Sequence, residues 1–314
     1  MSLPDASCAD PPSGARILCA GIAVQDQVFH LDAFPIVGEK ARARSLAIVP
    51  GGCAANAAIA IVRLGGQARL ISALGGPGKD DLTGDAILSA LAAEGVDCSR
   101  IMRIDGAPSP VSAIMVDADG ERTIFNFRDE RLSLARIADV AGALDGVSTL
   151  LIDNRFPEMV LPLCEAARER GMPIVLDADR PTRLTEDLLR LCTHIIFPAD
   201  GLRATAGCED LASGLQRIAA DSAAFLAVTD GANGAMWMAS DGIRHLPACA
   251  VEAVDTLAAG DVFHGAFALC LAEGADEVVA LQFANAAAAL KCTRFGGIVG
   301  APTRAQVEDF RRPA

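Results

Sequence analysis

The feature that most constrains the fold is a regular alternation of short apolar runs and longer amphipathic segments after Leu132. The apolar runs predict strands at 149–152, 174–176, 195–197 and 225–228. The segments between them predict helices at 159–170, 186–191 and 211–220. Strands joined by helices form right-handed βαβ units, which assemble into a parallel sheet with helices on both faces. The pattern therefore predicts an α/β fold with a doubly wound, mostly parallel sheet.

The first half of the chain contains polar strands that do not fit a buried parallel sheet. An apolar run from Ile17 to Val24 predicts one more core strand, with Asp26 at its carboxyl end. Residues 28–49, with a turn at 38–40, and a hairpin of 111–116 and 122–127 around an Asp119-Gly120 turn predict exposed antiparallel strands. Other elements are predicted at 52–64, 82–94, 277–291 and near 306–310 (helices) and at 68–73 (strand). We expect a small sheet from approximately 27–50 and 110–128, inserted in one domain that spans residues 1–314.

Composition limits the classes of function. The net charge of -13 opposes binding to nucleic acid or an anionic membrane, because an acidic surface repels phosphate. The 10 cysteines show no C-x-x-C pair, which indicates reduced thiols in a cytoplasmic protein. No apolar run reaches the roughly 18 residues of a membrane span, and because the first sixteen residues contain no apolar run, we do not expect them to be a signal peptide. We expect a small-molecule ligand, with no nucleic-acid or membrane partner.

The segment from Val254 to Phe267 carries the clearest chemical signal. Ala258, Ala259 and Gly260 precede an apolar helix, so the unpaired N–H groups of its first turn are open to a phosphate. Asp261 beside such a phosphate would suit a base that takes a proton from an attacking hydroxyl. Taken alone, the segment also fits an ordinary helix start in which an acid favours the helix dipole. His264 is expected to pack or orient locally rather than act as the base.

A second small-residue segment follows the strand predicted at 225–228. Thr229-Asp230-Gly231-Ala232-Asn233-Gly234 places a hydroxyl at a strand end beside glycines that would let a nucleotide approach closely. The same segment fits a plain hairpin turn. Neither a P-loop nor a G-x-G-x-x-G fingerprint is present, so a nucleotide would need another binding scheme. Asp177 and Asp179, after another predicted strand, could reach a metal ion or cap a loop.

Two segments resemble the signatures of the PfkB, or ribokinase-like, sugar kinases. Gly51-Gly52-Cys53-Ala54-Ala55-Asn56-Ala57-Ala58, followed by Gly65 and Gly75, resembles the amino-terminal signature, and residues 255–268 resemble the carboxyl-terminal one. The resemblance covers nearly the whole chain. It implies a Rossmann-like domain with a small β-sheet lid over the sugar, ATP and Mg²⁺ as cofactors, transfer of the γ-phosphoryl group of ATP to a sugar hydroxyl, and a homodimer formed through the lid.

Carried over by position, the resemblance implies a role for individual residues. Asp261 resembles the catalytic base, and the backbone of Ala258, Ala259 and Gly260 resembles the anion hole for the transferred phosphoryl group. The implied sugar ligands are Asp26, Gly52 and Asn56. The implied ATP-binding residues are Thr229, Gly231, Gly234, Asn285 and Gly297.

Three positions depart from the family pattern. Ala258 replaces the first glycine of the usual Asp-Thr-x-Gly-Ala-Gly-Asp, and we expect activity to survive because alanine leaves room if its φ is negative. The family's Asn-x-x-Glu element, linked to magnesium, would fall near 197–201 and is absent, so no metal ligand is assigned. Cys53 stands where ketohexokinases have an asparagine, which weakens a simple fructokinase assignment.

The lid segments 112–116 and 120–124 resemble ketohexokinases and, more closely, kinases of 6-deoxy-6-sulfofructose. Those sulfosugar kinases hold the sulfonate with a lysine, an asparagine and an arginine, matched here by Lys40, Asn126 and Arg155. Two cations and an amide suit a buried sulfonate or phosphate alike, although Lys40 also fits a solvated basic run.

We therefore expect phosphorylation of a primary hydroxyl of a ketohexose-like sugar, and specifically an anionic one such as 6-deoxy-6-sulfofructose or a 6-phosphosugar. Two alternatives remain open. One is a neutral-sugar kinase of ribokinase or fructokinase type, and the other is a regulator that binds a sugar or nucleotide with little catalysis.

Overall fold

The structure is a computed structural model that describes residues 15–77, 81–118, 121–183 and 186–312. Its strands are β1 (Arg16–Ala20), β2 (Val24–His30), β3 (Ser45–Gly51), β4 (Gln67–Ile71), β5 (Ala73–Gly75), β6 (Met102–Ile104), β7 (Val111–Val116), β8 (Arg122–Phe127), β9 (Thr149–Asp153), β10 (Ile174–Asp177), β11 (His194–Pro198), β12 (Phe225–Thr229), β13 (Ala235–Ala239) and β14 (Gly242–Leu246). Its helices are α1 (Cys53–Arg63), α2 (Leu82–Ala93), α3 (Val140–Ala143), α4 (Pro157–Glu169), α5 (Asp187–Leu191), α6 (Ala199–Ala206), α7 (Leu211–Ala219), α8 (Ala259–Ala272), α9 (Glu277–Cys292) and α10 (Arg304–Arg311).

The large sheet has the strand order β14-β13-β12-β11-β10-β9-β1-β4. Strands β4, β1 and β9 to β12 run parallel, and β13 pairs antiparallel with both β12 and the edge strand β14. Alternate residues of each core strand face opposite apolar layers, as Ile17 and Leu18 do. One layer contains α1, α8 and α9, and the other contains α4 to α7. The prediction of a doubly wound α/β sheet is confirmed, because apolar strands without polar alternation need cover on both faces.

The small sheet has the strand order β3-β2-β7-β8. Strand β2 pairs antiparallel with β3 and parallel with β7, and β7 and β8 form the predicted antiparallel hairpin. The Asp119-Gly120 turn lies outside the described residues. A turn lies close to the one predicted at 38–40, because the Glu39 N–H donates to the Ile36 carbonyl oxygen at 2.9 Å and Gly38 has φ 94°. This turn is part of a long connection, residues 31–44, between β2 and β3.

The sequence predicts one core strand from Ile17 to Val24, but the structure divides this run between two strands. Strand β1 ends at Ala20, the chain turns through residues 21–23, and Val24 begins the lid strand β2. A Cβ on Gly21 would lie 2.1 Å from Asp153 Oδ2, and the Ile22 N–H donates to that oxygen instead of continuing the sheet. Asp26 therefore lies inside a lid strand and not at the end of a core strand.

Two further differences concern edge elements. The segment predicted as a strand at 68–73 divides into β4 and β5, and β5 pairs with β6 outside the large sheet. The sequence pattern does not predict the β13–β14 hairpin, because apolar and polar residues alternate only weakly along its strands. The described cysteines form no disulfide. Among the described residues, no helix combines the length and apolarity that a membrane span requires.

Candidate active site

The candidate site lies where the carboxyl ends of β9 and β10 meet the amino ends of α1 and α8, beneath lid strand β2. Asp153, the last residue of β9, is fully buried. Its Oδ2 accepts the N–H of Ile22 at 2.8 Å and of Ala54 at 3.2 Å, and its Oδ1 accepts the N–H of Arg155 at 2.9 Å. Asp153 thus joins the β1–β2 turn, the start of α1 and its own loop. Ligands of parallel α/β sheets bind at this edge.

Asp261 lies in the first turn of α8 and faces Asn56 in the first turn of α1. The Asn56 amide donates to Asp261 Oδ2 at 2.7 Å. Burial raises the pKa of Asp261 to about 7, the Asn56 hydrogen bond opposes that rise, and nearby Asp179 and Asp26 add to it. A carboxyl group with a pKa near neutrality suits a general base that accepts a hydroxyl proton.

The amino end of α8 is open, as an anion hole requires. No side chain caps this helix, and no atom lies within 4 Å of where a Gly260 Cβ would be. The condition of a negative φ at Ala258 is not met: its φ is 64°, and it is the one non-glycine residue with positive φ in the described ranges. The residue must turn the chain left-handed into α8, which costs an alanine about 1–2 kcal/mol.

Cys53, Arg155 and Asp179 form a polar cluster beside Asp261. The Arg155 guanidinium pairs with the Asp179 carboxylate, and the Cys53 thiol donates to Asp179 Oδ2 at 3.7 Å. Burial, with the neighbouring carboxylates, raises the pKa of Cys53 well above its usual value, so the group is a neutral thiol. Burial and Asp179 also raise the pKa of Asp177 well above its usual range. The carboxyl groups of Asp153, Asp177, Asp179 and Asp261 all act on Cys53. A second guanidinium lies behind Arg155, because Arg128 Nη1 donates to the Arg155 carbonyl oxygen at 2.8 Å.

The lid closes the site from above with a row of polar side chains. Asp26 on β2 lies opposite Ser112 on β7, which lies opposite Asn126 on β8, so the three share one face of the lid. Burial raises the pKa of Asp26 to about 6, against a hydrogen bond from Ser112. A Cβ on Gly51 would lie 2.0 Å from Asp26 Oδ2, and this close packing explains the glycine there.

Most of the predicted sugar ligands meet in this pocket. Gly52 turns the chain into α1 with φ 94°, and a Cβ there would lie 2.6 Å from the Ile22 carbonyl oxygen. Asn56 contacts Asp261, while Asp26 and Asp179 lie close enough to raise the pKa of Asp261, and Arg155 pairs with Asp179. Asn126 shares the lid face of Asp26. Lys40 is different, because it is exposed in the connection between β2 and β3 and makes no described contact with the pocket.

The predicted nucleotide residues lie along the adjoining edge. Thr229 ends β12, and residues 230–234 turn the chain into antiparallel β13, so the segment is a hairpin turn. Nothing lies within 4 Å of a Gly231 Cβ position, whereas a Gly234 Cβ would lie 2.1 Å from the Leu246 carbonyl oxygen. The Asn285 amide donates to the Pro247 carbonyl oxygen at 2.9 Å. Gly234 and Asn285 therefore contact the same segment, while the Gly297 N–H donates to Asp255 Oδ2 at 2.8 Å.

Cys53, Asp177 and Asp261 place one ligand atom each within 4.8 Å of one another, among the residues that the structure describes. The carboxylate oxygens of Asp177 and Asp261 suit Mg²⁺, but the neutral thiol of Cys53 does not. Asp200, where the absent family element would fall, is exposed and pairs with Arg203 at 2.9 Å. These residues do not fit a protein-bound Mg²⁺ ion, and we assign no metal ligand.

His264 makes local main-chain contacts, as expected, and its Nδ1 also lies 3.5 Å from Asp177 Oδ2. Its Nδ1 lies 2.7 Å from the Gly260 carbonyl oxygen and its Nε2 3.3 Å from the Ile196 carbonyl oxygen, and burial lowers its pKa. Sequence reasoning gave no role to Asp153 or to Lys291, which is fully buried. An acid at the end of a buried strand is a usable signal for Asp153, whereas nothing in the local sequence distinguishes Lys291 from a surface lysine.

Comparison with known proteins gives a consistent result. The model of the pfkB family carbohydrate kinases matches residues 15–304. The chain is 31% identical over 299 residues to a ribokinase of Bacillus subtilis (strain 168), covering 94% of this chain and 99% of that one. It is 29% identical over 284 residues to fructokinase-1 of Zea mays, covering 82% and 87%.

Solved structures agree with these relatives. The crystal structure of a candidate ribokinase from Agrobacterium tumefaciens has a TM-score of 0.89 and 38% identity, covering 95% of this chain and 97% of that one. Arabidopsis thaliana ribokinase, complexed with ribose and ATP, has a TM-score of 0.81 at 21% identity, covering 96% and 100%, and supports the fold alone.

Proposed function

The chain belongs to the pfkB family of carbohydrate kinases and is an ATP-dependent phosphotransferase with an alcohol group as acceptor, and we propose that its acceptor is a primary hydroxyl of a neutral sugar. The observation that carries this proposal is the pairing of Arg155 with Asp179 inside a pocket rich in carboxylates. A cation that is already neutralised has little charge left to attract an anionic substrate.

The charges around the pocket support the same choice. Neighbouring carboxylates raise the pKa of Asp153, Asp177 and Asp261, while Arg155 lowers the pKa of Asp153 and Asp177. An anionic sugar would add a further like charge where water is largely excluded. A neutral sugar would instead offer hydroxyl donors to these carboxylates and an acceptor to the Asn56 amide.

The proposed reaction starts with the sugar hydroxyl hydrogen-bonded to Asp261. As the hydroxyl oxygen attacks the γ-phosphorus in line, its proton passes to the Asp261 carboxylate, and the bond from phosphorus to the ADP oxygen breaks. The N–H groups at the amino end of α8 stabilise the charge on the transferred phosphoryl group. A Mg²⁺ ion held by the phosphates of ATP would supply neutralisation of part of their charge, without a ligand from the protein.

An anionic sugar, such as 6-deoxy-6-sulfofructose or a 6-phosphosugar, is the second candidate. Two observations favour it: Arg155 Nε is buried without a hydrogen-bond partner, and Asn126 shares the lid face of Asp26. Displacing Asp179 from Arg155 would free the guanidinium for a sulfonate or phosphate. The finer resemblance to sulfosugar kinases remains a hypothesis on this basis.

Sugar-dependent ATP consumption tests the proposal. The panel comprises ribose, fructose, fructose 6-phosphate and 6-deoxy-6-sulfofructose, with Asp261→Asn as the control for the base. We expect kcat/KM for a neutral sugar to exceed that for either anionic sugar by at least about 10-fold, and Asp261→Asn to lower turnover by at least about 100-fold. The reverse order of substrates would select the anionic candidate, and no turnover with any sugar would select a binding regulator.

We also infer a homodimer through the lid. Leu46, Ile48, Phe125 and Phe127 are exposed on the lid face opposite to Asp26, because they occupy the alternate positions of β3 and β8. An apolar face of this kind suits a second copy of the same sheet. Sedimentation of the wild type against Ile48→Lys tests it, and a wild-type monomer at micromolar concentration would contradict it.

A further inference from the structure

Lys291 is a fully buried lysine in the last turn of α9. Its Nζ donates to the Asp255 carbonyl oxygen at 2.7 Å and lies 3.3 Å from Asp255 Oδ2. Burial lowers the pKa of Lys291, and Asp255 opposes that shift. A buried ammonium is strongly unfavourable unless oxygen atoms surround it, so its retention here calls for a reason beyond packing.

Asp255 is the centre of a network that holds two loops together. Its Oδ1 accepts the Leu257 N–H at 2.8 Å, and its Oδ2 accepts the N–H groups of Gly296 at 3.0 Å and Gly297 at 2.8 Å. Burial would raise the pKa of Asp255, but these N–H groups and Lys291 keep it below its usual value. The carboxylate is therefore charged, and Lys291 supplies the compensating positive charge.

The same network ends at the anion hole. Asp255 and Leu257 lie immediately before Ala258, whose left-handed conformation starts α8. The Asp255 N–H also donates to the Cys292 carbonyl oxygen at 3.1 Å, which ties the loop to the end of α9. Ala258 is only three residues after Asp255, so a shift of Asp255 also moves the start of α8. The position of Asp255 therefore determines where the first N–H groups of α8 point.

We propose that Lys291 is a tethered cation that positions the anion hole, so that turnover needs no dissociable monovalent cation in this loop. Its ammonium contacts the main-chain carbonyl oxygen and the carboxylate of Asp255, and oxygen atoms of these kinds would otherwise suit a potassium or ammonium ion. Lys291 is a positioning residue, because it acts through Asp255 and Ala258 rather than on the substrate. The inference rests on the proposed kinase function. It adds that turnover is independent of a dissociable monovalent cation, a property that other kinases of the same chemistry need not share.

The test compares the wild type with Lys291→Ala, using whichever sugar supports turnover, in potassium, ammonium or tetramethylammonium chloride. At a matched ionic strength of about 0.1 M, general screening is the same in all three salts. We expect the wild-type kcat to vary less than about 2-fold, and Lys291→Ala to lose at least about 100-fold in kcat in tetramethylammonium with KM changed by less than about 3-fold. Potassium or ammonium, which fit the vacated space, should restore at least about 10-fold of that loss.

Two further variants control for folding. Lys291→Met refills the space without charge and should stay slow in every salt, which keeps the proposal testable if Lys291→Ala does not fold. Arg304→Met removes a partly buried cation that pairs with Glu273 at the far end of α8. It should lower the melting temperature without making kcat depend on the cation.

Three results would overturn the inference: a wild type that requires potassium, a Lys291→Ala enzyme with nearly wild-type kcat, or a loss of kcat that parallels the loss of folded protein and that no cation restores. Absence of wild-type turnover with every sugar would instead count against the proposed function.

Discussion

Replacing Asn56 by leucine should move the pH dependence of the reaction upwards. The Asn56 amide donates at 2.7 Å to Asp261 Oδ2 and holds down a pKa that burial raises to about 7. Leucine has a similar volume but no donor, so the ionised form of Asp261 loses its hydrogen bond while the surroundings stay packed.

The size of the shift follows from the strength of that bond. A hydrogen bond to a charged group contributes about 1.5–3 kcal/mol, and about 1.4 kcal/mol corresponds to one pKa unit. The pKa of Asp261 should therefore rise by about 1–2 units in Asn56→Leu, to about 8–9. A base acts only when deprotonated, so kcat/KM should rise about 10-fold per pH unit below the pKa and level off above it.

The assay is kcat/KM for the sugar at saturating ATP across pH 5 to 10, because this ratio reports the pKa of the free enzyme's base. Asn56 is also an expected sugar ligand, so the absolute rate will fall, and the midpoint alone carries the prediction. Asn154→Leu is the matched control, because the Asn154 amide bonds Arg180 and Thr182 instead of Asp261 and should leave the midpoint near that of the wild type.

A midpoint in Asn56→Leu that stays at the wild-type value, or that moves to lower pH, would refute the link between Asn56 and the base. If kcat/KM of the Asp261→Asn variant still rose with pH as it does in the wild type, the assignment of Asp261 as the base would be refuted.

Ala258→Gly should raise the free energy of unfolding by about 0.5–1 kcal/mol in urea denaturation, because relief of the left-handed strain exceeds the entropy that glycine adds to the unfolded chain. A lower stability would contradict this. Burial raises the pKa of Asp177 well above its usual range. The contribution of this residue to the free energy of unfolding is therefore favourable at low pH and is lost as the pH rises from about 4 towards the pKa of the folded state. Asp177→Asn should for this reason raise the melting temperature more at pH 8 than at pH 5. An equal gain at both pH values would count against a buried charge. The Arg122 guanidinium on the lid donates to Thr256 Oγ1 at 2.7 Å. Arg122→Ala and Thr256→Val should therefore raise the sugar KM by similar factors, and the double variant should raise it no further than either single variant. Additive effects on KM would show that the two residues act separately.

The sequence alone predicts the parts of this protein that depend on local pattern. Apolar runs without polar alternation require cover on both faces, and this requirement by itself leads to the doubly wound sheet. The small-residue approach to α8, with Asp261 in its first turn, likewise follows from neighbouring residues. The two family signatures lie on these same local features.

Tertiary structure decided what depends on contacts between distant residues. The apolar run from Ile17 to Val24 gives no sign that Asp153, far along the chain, interrupts it at Gly21 and so moves Asp26 into the lid. The pairing of Arg155 with Asp179, which weakens the case for an anionic substrate, also depends on two separate strand ends meeting.

Lys291 illustrates the limit most clearly. Periodicity records which face of a helix is apolar, but the charge state and role of a buried side chain depend on the partners that folding brings to it. In the sequence Lys291 is one more basic residue near a helix end, where exposure is the ordinary outcome. Only the packing of α9 against the loop before α8 places its ammonium on Asp255 and makes a buried positive charge favourable.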